Sequence, residues 1–296
     1  MTAIRSSFGD LLAPGFREIF FNNFNQYPLE YTRIFNILES TRQYEDDSGV
    51  SGFGVVPEKD EGSGITYDDP IQGFNVRYTH RTFGLGFRVT REMWEDDLYN
   101  IMRKMPAALG RSMRISQEQD AANVLNRAFN SSYTGGDGKE LCATDHPLTG
   151  GGTEQNELTT AADFSDTSLE QALIDIAATV DDRSLPINLL ARKVIVHPSD
   201  QFNAVRVLKS ELLPGSAQND INAVRGIVEV MVNHYLTDTD AWFIQCDGHQ
   251  LNWFNRRMPD FEQDGDFDTE DAKFKGTARW SRGFSDWRGF FGSQGA

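Results

Sequence analysis

From Thr90 to about Asn130 apolar residues return every three or four positions: Trp94, Leu98, Ile101, Met105, Leu109 and Met113, then Ala121, Leu125, Ala128 and Phe129. That interval marks one face of a helix. Thr90 stands where an N-cap belongs, and the acids of "REMWEDD" suit the positive end of the helix dipole. A continuous helix over this span would be a rod of roughly 60 Å, at about 1.5 Å per residue. Pro106 is expected to kink or divide it.

Upstream the period changes to two. Phe74, Val76, Tyr78 and Thr82 alternate with polar residues, behind the glycine- and acid-rich "YEDDSGVSGFGVVPEKDEGSGITYDDP". Two extended arms around "DEGSG" predict a long β-hairpin over 44–90. A lone two-stranded hairpin is marginal in water, so this one calls for a partner surface. Residues 1–43 predict short helical pieces interrupted by Pro14 and Pro28, with Phe16, Ile19, Phe20 and Phe24 left to cover a neighbouring surface.

Beyond the long helix, "TGGDGKELCATDHPLTGGG" (134–152) has turn chemistry around a short strand. A helix is predicted over 167–180, capped by Asp166 or Thr167, then a strand over 193–198 and a helix near 199–211. Strands at 227–232, 241–246 and 250–254 complete a mixed sheet, which makes the class α+β. "MPDFEQDGDFDTEDA" is expected to be a polar loop. In the closing "ARWSRGFSDWRGFFGS", Trp280, Phe284, Trp287 and Phe291 fall at a helical interval, yet Gly283, Gly289 and Gly292 loosen it. The better expectation is one strand with a bulge near Gly283–Asp286 that brings the four aromatics to one face of the core.

Charge removes several classes. The net charge is −16, which disfavours binding to nucleic acid or anionic lipid. "MTAIRSSFGDLL" lacks an apolar export segment, and no 18-residue apolar run occurs, so neither export nor a membrane span is expected. Cys142 and Cys246 form neither a disulfide framework nor a metal spacing. "GLGF" (84–87) lacks the third glycine and the Lys-Ser/Thr of a phosphate loop. A calcium loop beginning at Asp264 would need Gly and Glu where Thr269 and Lys275 stand. The five histidines are scattered, and no nucleophile motif or paired carboxylate stands out. No catalytic residue, cofactor or metal is expected.

The order of parts then becomes informative: crossing arm, acidic hairpin, long helix, α/β lobe, returning β segment. Together with "DGKELCATDHPL", "NELTTAADFSDTSLEQALIDIA", "ARKVIVHPSDQFNAVRVLKS" and the closing aromatic run, it resembles the HK97-type major capsid protein of tailed bacteriophages, of the Mu-like major head type. The resemblance implies an HK97-like α+β fold. Residues 1–43 would be the N-terminal arm, 44–90 the extended E-loop, and 91–180 with 256–286 the peripheral domain, its spine helix at about 91–130. Residues 181–255 with 287–296 would form the axial domain. The acidic stretch 260–271 would be a loop near threefold contacts.

The implied function is mechanical: a non-enzymatic subunit of an icosahedral head, assembled as hexamers and pentamers around packaged double-stranded DNA. The expected inter-subunit contacts include Lys59 and set the acids Asp60, Glu61, Asp68 and Asp69 against Arg77, Arg81, Arg88, Arg103, Arg111 and Arg114. Arg279, Arg282 and Arg288 are expected to meet neighbouring subunits too. No isopeptide crosslink is expected. Because no long charged segment precedes the arm, a separate scaffolding protein is expected, with a portal and a decoration protein as further partners and no membrane. The location would be the virion, after assembly in the host bacterial cytoplasm. Three other readings stay open: an encapsulin-like nanocompartment shell, a soluble carbohydrate-active enzyme, and a tail or adhesion module, which would suit the acidity but not the long helix.

Overall fold

The computed structural model describes residues 8–96, 101–212, 220–265 and 271–296. In chain order its elements are α1 (Phe8–Gln26), a 3-10 turn (Tyr31–Arg33), β1 (Asn36–Glu39), β2 (Tyr44–Val50), β3 (Gln72–Thr79), β4 (Arg81–Val89), α2 (Arg91–Glu95) and α3 (Ile101–Asn126). There follow β5 (His146–Pro147), β6 (Thr153–Glu154), α4 (Asp166–Ala178), β7 (Ala191–Val196), α5 (Gln201–Lys209), β8 (Glu229–Val232), β9 (Trp242–Cys246), β10 (Leu251–Gly265), β11 (Ala272–Phe284) and β12 (Phe290–Ser293).

One sheet has the order β1-β10-β11-β4, with β1 parallel to β10 and the other pairs antiparallel. Its inner face carries Phe274, Ala278 and Trp280 from β11 and Trp253 from β10, all buried. Trp280 stacks between Phe83 at 4.1 Å and Trp253 at 5.5 Å. Helices α1 and α3 cover this face through Phe16, Phe20, Leu109 and Met113. The second sheet, β12-β9-β7-β8, is mixed, β7 running parallel to β8, but the strand expected at 250–254 is not part of it: it is the start of β10 and pairs in the first sheet with β1 and β11. A second apolar cluster joins it to α4 and α5 through Leu169, Ala172, Val194, Ala204, Trp242 and Phe291.

Several expectations are corrected. Pro14 does not interrupt the arm, because α1 runs through it. Phe16, Phe20 and Phe24 cover the chain's own α3 rather than a neighbour, and that burial outweighs the hydrogen bond a proline removes. Thr90 does cap, accepting from the Met93 amide, but α2 ends at Glu95. The long helix begins at Ile101 and passes through Pro106 in its second turn. Its 26 residues give about 39 Å instead of 60. Leu98 lies outside the described residues.

The hairpin ends at Thr79, since β4 leaves it to pair with β11. Helix α4 is capped by Ser165, whose side chain accepts from the Ser168 amide. Asp260–Gly265 is strand, not loop: Glu262 faces Lys275 across the ladder, 2.8 Å away, and Asp264 faces Lys273. The bases that balance this stretch stand on the returning strand. Asp266, Asp268, Thr269 and Glu270 lie outside the described residues.

The closing aromatic run is two strands in two sheets. β11 ends at Phe284, an Asp286–Arg288 turn follows, and Gly289 with φ +82° directs β12 into the second sheet. Trp280 and Phe291 therefore fill different cores. Arg282 and Arg288 are spent inside the chain: Arg282 pairs with Asp120 at 2.6 Å, and Arg288 with Asp182 and Asp286 at 3.0 and 3.2 Å. Trp287 lies between Arg288 and the His146 ring, whose centroid is 4.4 Å away. That histidine is fully buried, with Asp137 Oδ2 at 2.6 Å and Asn156 Oδ1 at 3.0 Å from its two nitrogens.

The glycines of "GLGF" have a packing explanation. A Cβ at Gly86 would stand 2.6 Å from the Phe274 carbonyl oxygen, so the close approach of β4 to β11 requires glycine there.

Candidate interaction surface

Among the described residues, the hairpin of β2 and β3 with the loop 51–71 at its end has little support from the rest of its chain. Its ladder runs from Tyr44–Thr79 to Val50–Gln72, with an irregularity between Ser48 and Val50. The acid-rich β2 is neutralised locally: Arg77 donates to both oxygens of Asp46, at 2.6 and 2.9 Å, and lies over the Tyr44 ring. The Arg77 guanidinium holds the Asp46 carboxyl below its usual range.

The root of the hairpin is fixed more firmly. Tyr78 is buried, its hydroxyl 2.6 Å from Ser285 Oγ, and burial pushes its pKa up to about 12. His80, between β3 and β4, bridges Ser40 and Ser281 at 2.9 Å each. Ser40 Oγ donates to Glu45 at 2.7 Å, so His80 Nε2 must be the donor to Ser40. Burial, with Arg279 nearby, lowers the His80 pKa. On the flank of β3, a Cβ at Gly136 would come within 2.8 Å of the Asn75 carbonyl oxygen, so the 134–138 loop seats the strand through bare backbone. A cleft of about 260 Å3 lies beside this seat, lined by Asp47, Val50, Phe74, Gln250 and Trp287 among others.

Beyond Val50 the loop closes on itself through few bonds. Ser51 N donates to Ile71 O at 2.8 Å, Ile71 N to Ser51 Oγ at 2.9 Å, and Gly54 N to Asp68 Oδ2 at 2.8 Å. The apolar side chains Val50, Phe53, Val55, Val56, Ile65 and Tyr67 are exposed, Val56 by 88% and Tyr67 by 92%. A concentration of exposed large apolar side chains in one loop marks a contact site.

The expected contact residues divide into three groups. Lys59, Asp60, Glu61, Asp68 and Asp69 are exposed along the loop. Arg81, Arg103 and Arg111 are exposed on β4 and α3, Arg111 lying over the Tyr27 ring, while Arg88 is 3.8 Å from Asp271. The third group is engaged within the chain. Arg77 holds Asp46, and Arg114 is buried 3.6 Å from the Phe24 ring, its Nε donating to Phe24 O and its Nη1 to Gln117. Burial has removed Arg114 from the surface where a receptor was expected.

Sequence reasoning missed Arg183. Its Nη2 reaches Asp68 Oδ1 at 3.4 Å and donates to Asp69 O. A separation of 115 residues leaves no local signal for that pair. Among the described residues no three His, Cys, Asp or Glu side chains gather as a metal site, and no helix is long and apolar enough to cross a membrane. Both cysteines are free and buried, their thiol pKa values pushed up by burial.

Comparison with known proteins gives the context for this surface. Residues 74–292 match a family described as "Phage capsid protein". No curated protein matches the chain. Among solved structures, the capsid of bacteriophage JBD30 decorated with minor capsid protein trimers is similar at TM-score 0.56 and 14% identity, covering 72% of this chain and 92% of that one. The capsid of cyanophage P-SCSP1u is similar at TM-score 0.59 and 12% identity, covering 89% and 86%. A virus-like particle from Pyrococcus furiosus is similar at TM-score 0.52 and 10% identity, covering 95% and 98%.

Proposed function

The chain belongs to the phage capsid protein family, and from that premise we propose that its copies close into an icosahedral head by laying loop 51–71 on neighbouring copies. As a capsid protein it is a structural, non-enzymatic chain. The observation that carries the reading is the row of exposed apolar residues on that loop, which finds no cover in its own chain. Burial is worth about 25 cal/mol per Å2 of apolar surface, so such a row is better placed against a second copy than in water. Interfaces of permanent assemblies bury roughly 2,000 Å2 or more, and an extended loop supplies that area from a small subunit.

Hexamers and pentamers are the assemblies proposed, with the virion as their location after assembly in the host cytoplasm. A scaffolding protein, a portal and a decoration protein belong to the same proposal. The Mu-like type is part of it as well, supported by the sequence words at 137–148 and 191–210. The first sheet with α1 and α3 would be the peripheral unit, and the second sheet with α5 the axial one. Helix α4, placed with the peripheral part in the sequence reading, packs into the second cluster, which favours assigning it to the axial unit. The net charge of −16 suits a container for DNA, because a basic lining would hold the polymer by counterion release.

Negative-stain microscopy of the purified chain, with light scattering for mass, tests the proposal. Closed particles or capsomers are expected. A monodisperse monomer at high concentration, with or without a scaffold, would sink it.

A further inference from the structure

Arg183 sits on a built turn. Asp181 Oδ1 accepts the amides of Arg183 and Leu185, both at 2.8 Å, and Ser184 takes a left-handed φ of +61°. This turn follows α4, packed in the second cluster, and it aims the guanidinium at the far end of the hairpin. There Nη2 meets Asp68 and the backbone oxygen of Asp69. Asp68 is itself the residue that closes the loop, through Gly54 N. One arginine therefore ties the loop closure to the lobe that carries α4.

We infer that this contact is an autoinhibitory latch, with Arg183 parking loop 51–71 on its own subunit until a second copy takes it. The inference rests on the docking role proposed above and adds a control to it. Three observations support it. The parked loop keeps its apolar side chains outward, so the latch acts by restraining where the loop can reach and not by covering its docking surface. The latch is also poorly made. A guanidinium beside a carboxylate normally uses two parallel donors, yet Arg183 offers Nη2 alone while its Nε is buried without a hydrogen-bond partner. Finally, Asp68 is exposed, so solvent screening keeps its pairing weak. A contact with an unspent donor and a screened partner is releasable, unlike the buried root at Tyr78 and His80.

The test uses Arg183→Gln and, separately, Asp68→Asn on the full chain, with two readouts. Hydrogen exchange of loop amides in the subunit reads the latch, and light scattering with microscopy reads assembly. Loss of an exposed ion pair shifts an equilibrium about fivefold, so loop exchange should rise about fivefold in Arg183→Gln. Its initial assembly rate should rise by a similar factor. Loop exchange and assembly rate unchanged in both single variants would overturn the latch while leaving the shell reading intact. A wild-type chain that never forms particles would overturn the shell reading instead, with the exchange readout still deciding whether Arg183 holds the loop.

Discussion

Gly110 of α3 lies directly against the Phe20 carbonyl of α1, so near that any side chain at position 110 would overlap the oxygen. This contact fixes the arm on its own long helix. It also explains a glycine in the middle of a helix, a position that costs about 1 kcal/mol relative to alanine.

Gly110→Ala should therefore destabilise the fold despite its better helix propensity. Overpacking of this kind costs about 1–3 kcal/mol, more than the propensity gain. Urea unfolding followed by circular dichroism should show a lower midpoint. A raised midpoint would mean that α1 does not pack there.

Glu118, buried on α3, accepts the amides of Glu30 and Tyr31 at 3.1 and 2.9 Å and so anchors the segment that leaves α1. Burial pushes its carboxyl up to about 7, against the pull of those two amides and of Arg114. Between pH 4.5 and 7 the folded chain keeps a proton that the unfolded chain has released, so this group's stabilising contribution is full at low pH and fades as pH rises toward 7. The effect is on the order of 3 kcal/mol at most. Glu118→Gln should flatten that slope in thermal unfolding from pH 5 to 8, at the expense of about 1 kcal/mol for one lost hydrogen bond. An unchanged slope would assign the pH dependence elsewhere.

Much of this architecture is legible in the chain itself. The three-to-four spacing after Ile101, the Thr90 cap and the period-two run around Val76 each depend on neighbours close in sequence. What could not be read depends on distant partners. Pro14 looks like a breaker until Phe16, Phe20 and Phe24 are seen against α3. Asp260, Glu262 and Asp264 look like a solvated loop until Lys275 and Lys273 return opposite two of them. The four closing aromatics share a spacing but not a core, because Gly289 sends Phe290 and Phe291 into another sheet. Arg183 is invisible for the same reason: its partner is more than a hundred residues away.

Val56 and Tyr67 separate folding from association. Both are almost fully exposed, so Val56→Asp and Tyr67→Ser should leave monomer stability within about 0.5 kcal/mol. Burying such a side chain at an interface is worth about 1.5–3 kcal/mol, so each variant should lower particle yield roughly tenfold or more at fixed concentration. Normal particle yield from both would show that the loop's apolar row contributes nothing to association.

The position of residues 51–71 in a closed particle, traced by electron cryo-microscopy, is the most direct test. The predicted density places Val56 and Tyr67 against a second copy, with Asp68 released from the Arg183 of its own chain. A loop still parked on its own subunit, its apolar row open to solvent in a complete shell, would contradict the docking role.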